Sequence, residues 1–172
     1  MYLDLYTRPL GTVLVWLFSA MAGWALLGRY GADEPRFRWY WRLGNGLLVP
    51  LSVLAVVAVT LLTRSGEVRE PVLTPLITFV KAQEQPEYYR TMLMNVLLFL
   101  PLGLSLGQAL PGRWTVRCRV LLTALCGLAL SILVEWLQYR FALGTAETDD
   151  VLCNTLGALL GGLPLAALKR RV

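Results

Sequence analysis

Long runs of apolar residues, each close to the length that crosses a bilayer, constrain this fold more than any other feature. A hydrocarbon core of about 30 Å is crossed by about 20 helical residues. Five stretches reach or approach that length: residues 9–28, 43–63, 93–110, 116–138 and 151–168. Since a backbone in lipid must satisfy its hydrogen bonds internally, each stretch is predicted to be a helix. The sequence therefore predicts an all-α, polytopic membrane protein with about five transmembrane helices.

The composition agrees with this prediction and excludes several classes of soluble enzyme. Hydrophobic residues make up 56% of the 172 residues and charged residues 16%, whereas soluble domains have about 45–50% and about 25%. The chain has no histidine, which excludes Ser-His-Asp triads and zinc sites with histidine ligands. Cys118, Cys126 and Cys153 form no C-x-x-C pair and are predicted to be small buried residues. Residues 1–172 are predicted to form a single transmembrane domain.

Lys and Arg residues are distributed unevenly between the two predicted sides of the membrane. The connection after the first stretch, the connection after the third and the C-terminal tail together carry more of them than the other side. Such an excess marks the cytoplasmic side. The N-terminus is therefore predicted outside and the C-terminus inside. The net charge of +5 follows from this topology, and no nucleic-acid partner is predicted.

The connection between the second and third stretches contains an apolar segment, residues 71–80, that is too short to cross a bilayer. Pro71 and Pro75 lie four residues apart within it. A short re-entrant or interfacial segment on the outer face is the structure that this pattern favours.

Polar residues near the outer ends of three predicted helices form the candidate site. Glu135 lies inside the fourth stretch, where an ionisable residue is costly and is usually functional. Ser131 and Gln138 share its helix face, and Arg140 is the nearest basic residue and its expected partner. Two further helices contribute polar residues at a similar depth: Asn95 from the third stretch, and Asp149, Asp150 and Asn154 from the start of the fifth. If these helices are neighbours, the residues converge.

Structural explanations of the same residues stay open at this point. Acidic residues in the first turn of a helix are favoured by the helix dipole, which accounts for Asp149 and Asp150 without a ligand. Asn95 and Asn154 are also explained as hydrogen-bonding residues between helices. Small residues at four-residue spacing, such as Gly157 and Gly161, are predicted to pack helices within this chain.

Two segments of the sequence resemble the signatures of VanZ-like membrane proteins. Residues 95–103, NVLLFLPLG, resemble the first signature. Residues 135–157 resemble the second, and residues 73–76 a weaker third element, so the resemblance covers about residues 70–165. The matching positions are Asn95, Pro101, Gly103, Glu135, Gln138, Asp149, Asp150, Asn154 and Gly157. The chain departs from the family at Gly144 and Glu147, where related sequences often have Arg and Asp.

The resemblance implies a protein of the bacterial inner membrane with a role in the cell envelope. The family is named for resistance to the glycopeptide antibiotic teicoplanin. Membrane lipids, and a lipid-linked glycan or peptidoglycan precursor, are the partners that we expect.

Two hypotheses follow from the polar residues and the resemblance together. In the first, the outer-leaflet residues bind or modify a lipid head group or lipid-linked glycan. Glu135 or Asp150 would then be the catalytic general base. The binding residues would be Asn95, Gln138, Arg140, Asp149 and Asn154. A divalent cation that bridges to phosphate is compatible with this hypothesis, but the sequence does not require one. In the second hypothesis the protein is a non-catalytic scaffold or accessory subunit, and its polar residues are structural. The sequence does not decide whether the protein is an enzyme.

Overall fold

The computed structural model describes residues 35–62, 70–111 and 113–167, together with residues 19 and 23. It contains five helices: α1 (Pro35–Val57), which continues into a π-helical turn (Ala58–Leu62), α2 (Ile77–Glu84), α3 (Glu87–Ala109), α4 (Val116–Arg140) and α5 (Thr148–Ala167). The described residues contain no β-strand. The all-α prediction is therefore confirmed. The predicted first span, residues 9–28, lies outside the described residues except at residues 19 and 23.

Within the described residues, three segments are long and apolar enough to cross a membrane: Trp39–Leu62, Glu87–Ala109 and Val116–Arg140. They correspond to the predicted second, third and fourth spans, and α5 corresponds to the predicted fifth. Large apolar side chains on their outward faces are exposed, among them Leu54 on α1 and Leu121 on α4. Polar side chains such as Asn95 and Glu135 are buried instead. This distribution is the one expected of a membrane protein, whose outer surface contacts lipid.

Helix α3 lies at the centre of the bundle, where it packs against all four other helices and most extensively against α5. Glycines make the close approach of α3 and α5 possible. A Cβ atom on Gly157 would overlap the carbonyl oxygen of Val96, and one on Gly161 would overlap that of Leu100. The small-residue spacing therefore serves packing within this chain, as predicted.

The described part of the connection between α1 and α3, residues 70–84, lies at one end of the bundle. Residues 70–74 belong to no helix, Val72 forms an isolated parallel bridge with Glu147, and residues 75–76 form a turn. Helix α2 follows and has 8 residues, which span about 12 Å and cannot cross a bilayer. It buries Thr78 and Ala82 but exposes Phe79 and Val80. A short peripheral segment with exposed apolar residues agrees with the predicted interfacial segment.

The cysteines are only partly as predicted. Cys153 is buried in α5, whereas Cys118 and Cys126 are exposed on α4. The prediction that all three are buried is wrong for these two. Both lie on the outward face of α4, away from the other helices of the bundle.

Candidate functional site

Four helix ends meet at one end of the bundle. Helix α1 with its π-helical turn and helix α4 end there. Helices α3 and α5 begin there, because consecutive long helices run in opposite directions. A hydrogen bond from Gln138 Nε2 to the carbonyl oxygen of Thr60, 3.1 Å long, joins the ends of α4 and α1. This end collects the residues that we call the polar cluster: Asn95, Ser131, Glu135, Gln138, Asp149, Asp150 and Asn154. All seven are buried.

Asn95 and Asp150 connect the starts of α3 and α5. The amide Nδ2 of Asn95 donates to Oδ1 of Asp150 at 2.6 Å. The two side chains are 9% and 7% exposed, so this charge-assisted bond lies inside the protein. Asp150 is also in the first turn of α5, where the helix dipole stabilises a negative charge. The sequence placed these residues 55 positions apart, and the fold brings them into direct contact.

Glu135 fixes the connection between α4 and α5. Its Oε2 accepts a hydrogen bond from the backbone N–H of Glu147 at 2.9 Å. The connection turns at Gly144, whose φ of 155° is rarely adopted by residues with a side chain. A glycine therefore fits the local backbone at this position. Arg140, the expected partner of Glu135, lies exposed in the last turn of α4, outside the buried cluster.

Asp149, which lies in α5, caps the N-terminus of another helix, α2. Its Oδ1 accepts from the N–H of Leu76 at 2.5 Å, and its Oδ2 accepts from the N–H of Thr78 at 2.7 Å. These amides belong to the N-terminus of α2, whose donors have no partner within the helix. Leu76 has a φ of 63°, a strained conformation for a branched residue. Asp149 therefore anchors the α2 segment to α5.

The residues that precede α2 and the α4–α5 connection are also joined through their backbones. Val72 N–H donates to the carbonyl oxygen of Ala146 at 2.9 Å, and Thr148 N–H donates to that of Val72 at 3.1 Å. The side chain of Thr78 donates to Oε2 of Glu147 at 3.2 Å. These bonds hold residues 70–78 and 141–147 together at the end of the bundle, next to the polar cluster.

Asn154 and Ser131 lie one helical turn deeper than Asp150 and Glu135. Asn154 Nδ2 donates to Ser131 Oγ at 2.9 Å. Asn154 is 2% exposed, and its Oδ1 is buried without a hydrogen-bond partner. A buried polar atom of this kind is uncommon and costs about 1–3 kcal/mol.

The fold thus brings together six of the seven predicted site residues, and Arg140 is the exception. Sequence reasoning missed Thr60 and Thr78. Thr60 interrupts an apolar run, which was a usable signal, whereas nothing local marked Thr78. The backbone N–H of Glu147 also belongs to the candidate site. Its part could not be predicted, because every residue except proline has a backbone N–H group.

The chemistry of the polar cluster is that of an acceptor-rich site. Carboxylate oxygens accept hydrogen bonds and attract cations, and the free oxygen of Asn154 also accepts. Such a site is suited to a ligand with hydroxyl or ammonium groups, which donate hydrogen bonds. Within the described residues, no three His, Cys, Asp or Glu side chains are grouped so that they could hold a metal ion.

Comparison with known proteins supplies one match. The family model described as VanZ/LLP1 matches residues 10–168 of the chain. No curated protein and no solved structure is significantly similar to it. The matched range contains the whole polar cluster and the helices that carry it.

Proposed function

Because this chain belongs to the VanZ/LLP1 family, we propose that it is a multi-pass protein of the bacterial inner membrane that binds a lipid head group. The bound molecule is a membrane lipid or a lipid-linked glycan, and its head group contacts the polar cluster. The observation that carries the proposal is the buried contact between Asn95 and Asp150, with Glu135 buried at the same end of a bundle whose outer surface is apolar. Buried acids are expensive in a membrane and are usually retained for function.

The depth of the polar cluster supports a head-group ligand. Trp136 and Tyr139 are exposed on α4 beside Glu135 and Gln138. Exposed aromatic residues of this kind favour the boundary between lipid tails and water. Trp114, just before the start of α4, is also exposed and lies about 30 Å from Trp136 along the helix axis, which matches a bilayer core. The cluster would therefore lie near the level of lipid head groups.

Five residues of the cluster have distinct parts in the proposed site. Asp150 and Glu135 accept hydrogen bonds from the ligand, and Asn95 orients Asp150. Asp149 positions the α2 segment at the edge of the site, and Gln138 fixes the end of α1. If the ligand is also modified, Glu135 or Asp150 would take a proton from a bound hydroxyl group as a general base. Resistance to glycopeptide antibiotics would follow from an altered envelope lipid or precursor.

The proposed orientation places the cluster in the outer leaflet, with the C-terminus in the cytoplasm. The basic residues of the C-terminal tail and of the connection near Arg113 support this orientation. We expect a fluorescent protein fused after Val172 to fluoresce in cells, and alkaline phosphatase at the same place to be inactive. Fusions after Ala142, in the α4–α5 connection, should behave in the opposite way. The reverse pattern at both positions would contradict the orientation.

A second candidate function is a non-catalytic scaffold. The observation in its favour is that Asp149 and Glu135 both bind backbone N–H groups of connecting segments. In that case these acids hold the fold together and bind nothing else.

A double substitution separates the two functions. In the variant Glu135→Gln with Asp150→Asn, the new amide oxygens can still accept from Glu147 N–H and from Asn95. The structural hydrogen bonds are therefore retained, whereas the negative charges are lost. We expect a deletion strain to show an altered profile of envelope lipids and lipid-linked precursors by mass spectrometry. Wild-type protein should restore the profile, and the double variant should restore less than a tenth of the change, because each charged acceptor contributes about 1.5–3 kcal/mol.

The control is the exposed acid Glu84 at the end of α2. Glu84→Gln should restore the profile fully at equal protein level. Full restoration by the double variant would contradict the proposed function and favour the scaffold.

A further inference from the structure

We propose that Oδ1 of Asn154 is the deepest acceptor of a ligand subsite, which takes the terminal N–H or O–H donor of a head group. This inference rests on the proposed function and specifies the chemical class of its ligand. The ligand group is a primary ammonium or an alcohol hydroxyl. A phosphate or a quaternary ammonium has no hydrogen to donate.

The unsatisfied oxygen is the first observation. Asn154 is 2% exposed, its Nδ2 is used by Ser131, and its Oδ1 has no partner. The atom is buried within the protein, and an unmade hydrogen bond there destabilises the folded state. A donor that fills the position would recover that free energy, so the position favours a bound donor.

The arrangement of neighbouring acceptors is the second observation. Asp150 precedes Asn154 by four residues on α5, and Glu135 follows Ser131 by four residues on α4, so each pair shares a helix face. Asp150 and Glu135 are buried, and both lie one turn, about 5.4 Å, closer to the end of the bundle. Acceptors thus occur at two depths along the α4–α5 contact. A head group that enters between the carboxylates would present its terminal donor to Asn154.

The acceptor chemistry also determines which end of the head group points into the site. Carboxylates repel phosphate, so the phosphate of a lipid would stay outside the pair formed by Glu135 and Asp150. The terminal ammonium of an ethanolamine head group, or a hydroxyl of a glycerol or sugar head group, would point inwards. The two kinds of head group share the same donor chemistry, and the test distinguishes them.

The test uses the full chain in phosphatidylcholine nanodiscs that contain an equal minor fraction of one test lipid. One series runs from phosphatidylethanolamine through its N-monomethyl and N,N-dimethyl forms to phosphatidylcholine, which removes N–H donors while it keeps the positive charge. The other compares phosphatidylglycerol with phosphatidylpropanol, which lacks the hydroxyls. Binding is measured by the lipid dependence of the thermal unfolding temperature and by native mass spectrometry.

We expect wild-type protein to bind the donor-bearing lipid of one series about tenfold more tightly than its donor-free counterpart. Asn154→Leu should remove that difference, whereas Asn154→Asp, which keeps an acceptor oxygen, should retain it. Thr155→Val, a matched control on the neighbouring face of α5, should behave like wild type. If Asn154→Leu fails to fold, Asn154→Asp still tests the inference, because loss of the preference in this variant would contradict it. A preference in the first series identifies an ammonium, and one in the second a hydroxyl.

Two results would overturn the inference. Wild-type protein that binds the members of both series equally would show that no head-group donor reaches Asn154. A donor preference that persists in Asn154→Leu would place the donor elsewhere. In the second case, loss of the preference in the variant Glu135→Gln with Asp150→Asn would leave the proposed function intact, so the two failures are distinguishable.

Discussion

Gly157→Ala will destabilise the bundle by about 3 kcal/mol or more, because the added methyl group has no space. A Cβ atom on Gly157 would overlap the carbonyl oxygen of Val96 on α3. Backbone cannot move aside as a flexible side chain can, so α3 and α5 must separate. Overpacking in a well-packed core costs about 1–3 kcal/mol and sometimes more. The gain in helix propensity, about 1 kcal/mol, does not offset this cost. Thermal unfolding in detergent, and the yield of folded protein, measure the effect.

The same substitution elsewhere on α5 provides the control. A Cβ atom on Gly162 would lie 3.4 Å from Cγ2 of Thr123, at the edge of ordinary van der Waals contact. Gly162→Ala should therefore change the free energy of unfolding by no more than about 1 kcal/mol. Equal stability of the two variants would show that α3 and α5 do not pack through Gly157. Gly161→Ala should resemble Gly157→Ala, since its Cβ atom would overlap the carbonyl oxygen of Leu100.

Asp149→Ala will detach the α2 segment from the bundle. The substitution removes both acceptors of the Leu76 and Thr78 amides, and a hydrogen bond to a charged group contributes about 1.5–3 kcal/mol. The left-handed conformation of Leu76 then loses the contact that opposes its strain. We expect amide hydrogen exchange in residues 70–84 to rise by at least a hundredfold, whereas protection in α3 and α4 should persist.

An exposed acid of the same segment tests whether this effect is specific. Glu84→Ala removes a carboxylate from the other end of α2 and should leave the exchange of residues 70–78 unchanged. Unaltered protection in Asp149→Ala would contradict the anchoring role. Fast exchange at Leu76 and Thr78 in wild-type protein would contradict it as well.

The helices could be predicted from the sequence because membranes impose strong physical limits. Apolar length alone located α1 with its π-helical turn, α3 and α4, and the predicted bounds lie within a few residues of the observed ones except at the starts of α1 and α3. These two helices begin at Pro35 and Glu87, before their apolar stretches, because helical structure continues through polar and charged residues that apolar length does not mark. The cost of burying charge similarly marked Glu135 as a candidate site residue, and the structure buries it among other polar side chains.

The partners within the site could not be predicted, because they depend on how connections fold across the helix ends. The helix dipole suggested a role for Asp149 within its own helix, but the amides that it binds lie 73 and 71 residues away, at Leu76 and Thr78. Arg140 was expected to pair with Glu135 from proximity in sequence. The fold instead satisfies Glu135 with a backbone N–H group from the α4–α5 connection. Sequence spacing shows which residues share a helix face, and it carries no information on which backbone groups approach that face.

We propose that the polar cluster binds a lipid head group through Glu135 and Asp150. Native mass spectrometry of protein extracted gently from its own membrane tests this claim most directly. We predict that wild-type protein retains a lipid adduct of defined mass. The variant Glu135→Gln with Asp150→Asn should retain at least tenfold less of it at equal thermal stability, and Glu84→Gln should retain as much as wild type. Equal retention by wild-type protein and the double variant, or wild-type protein free of any specific adduct, would contradict the account.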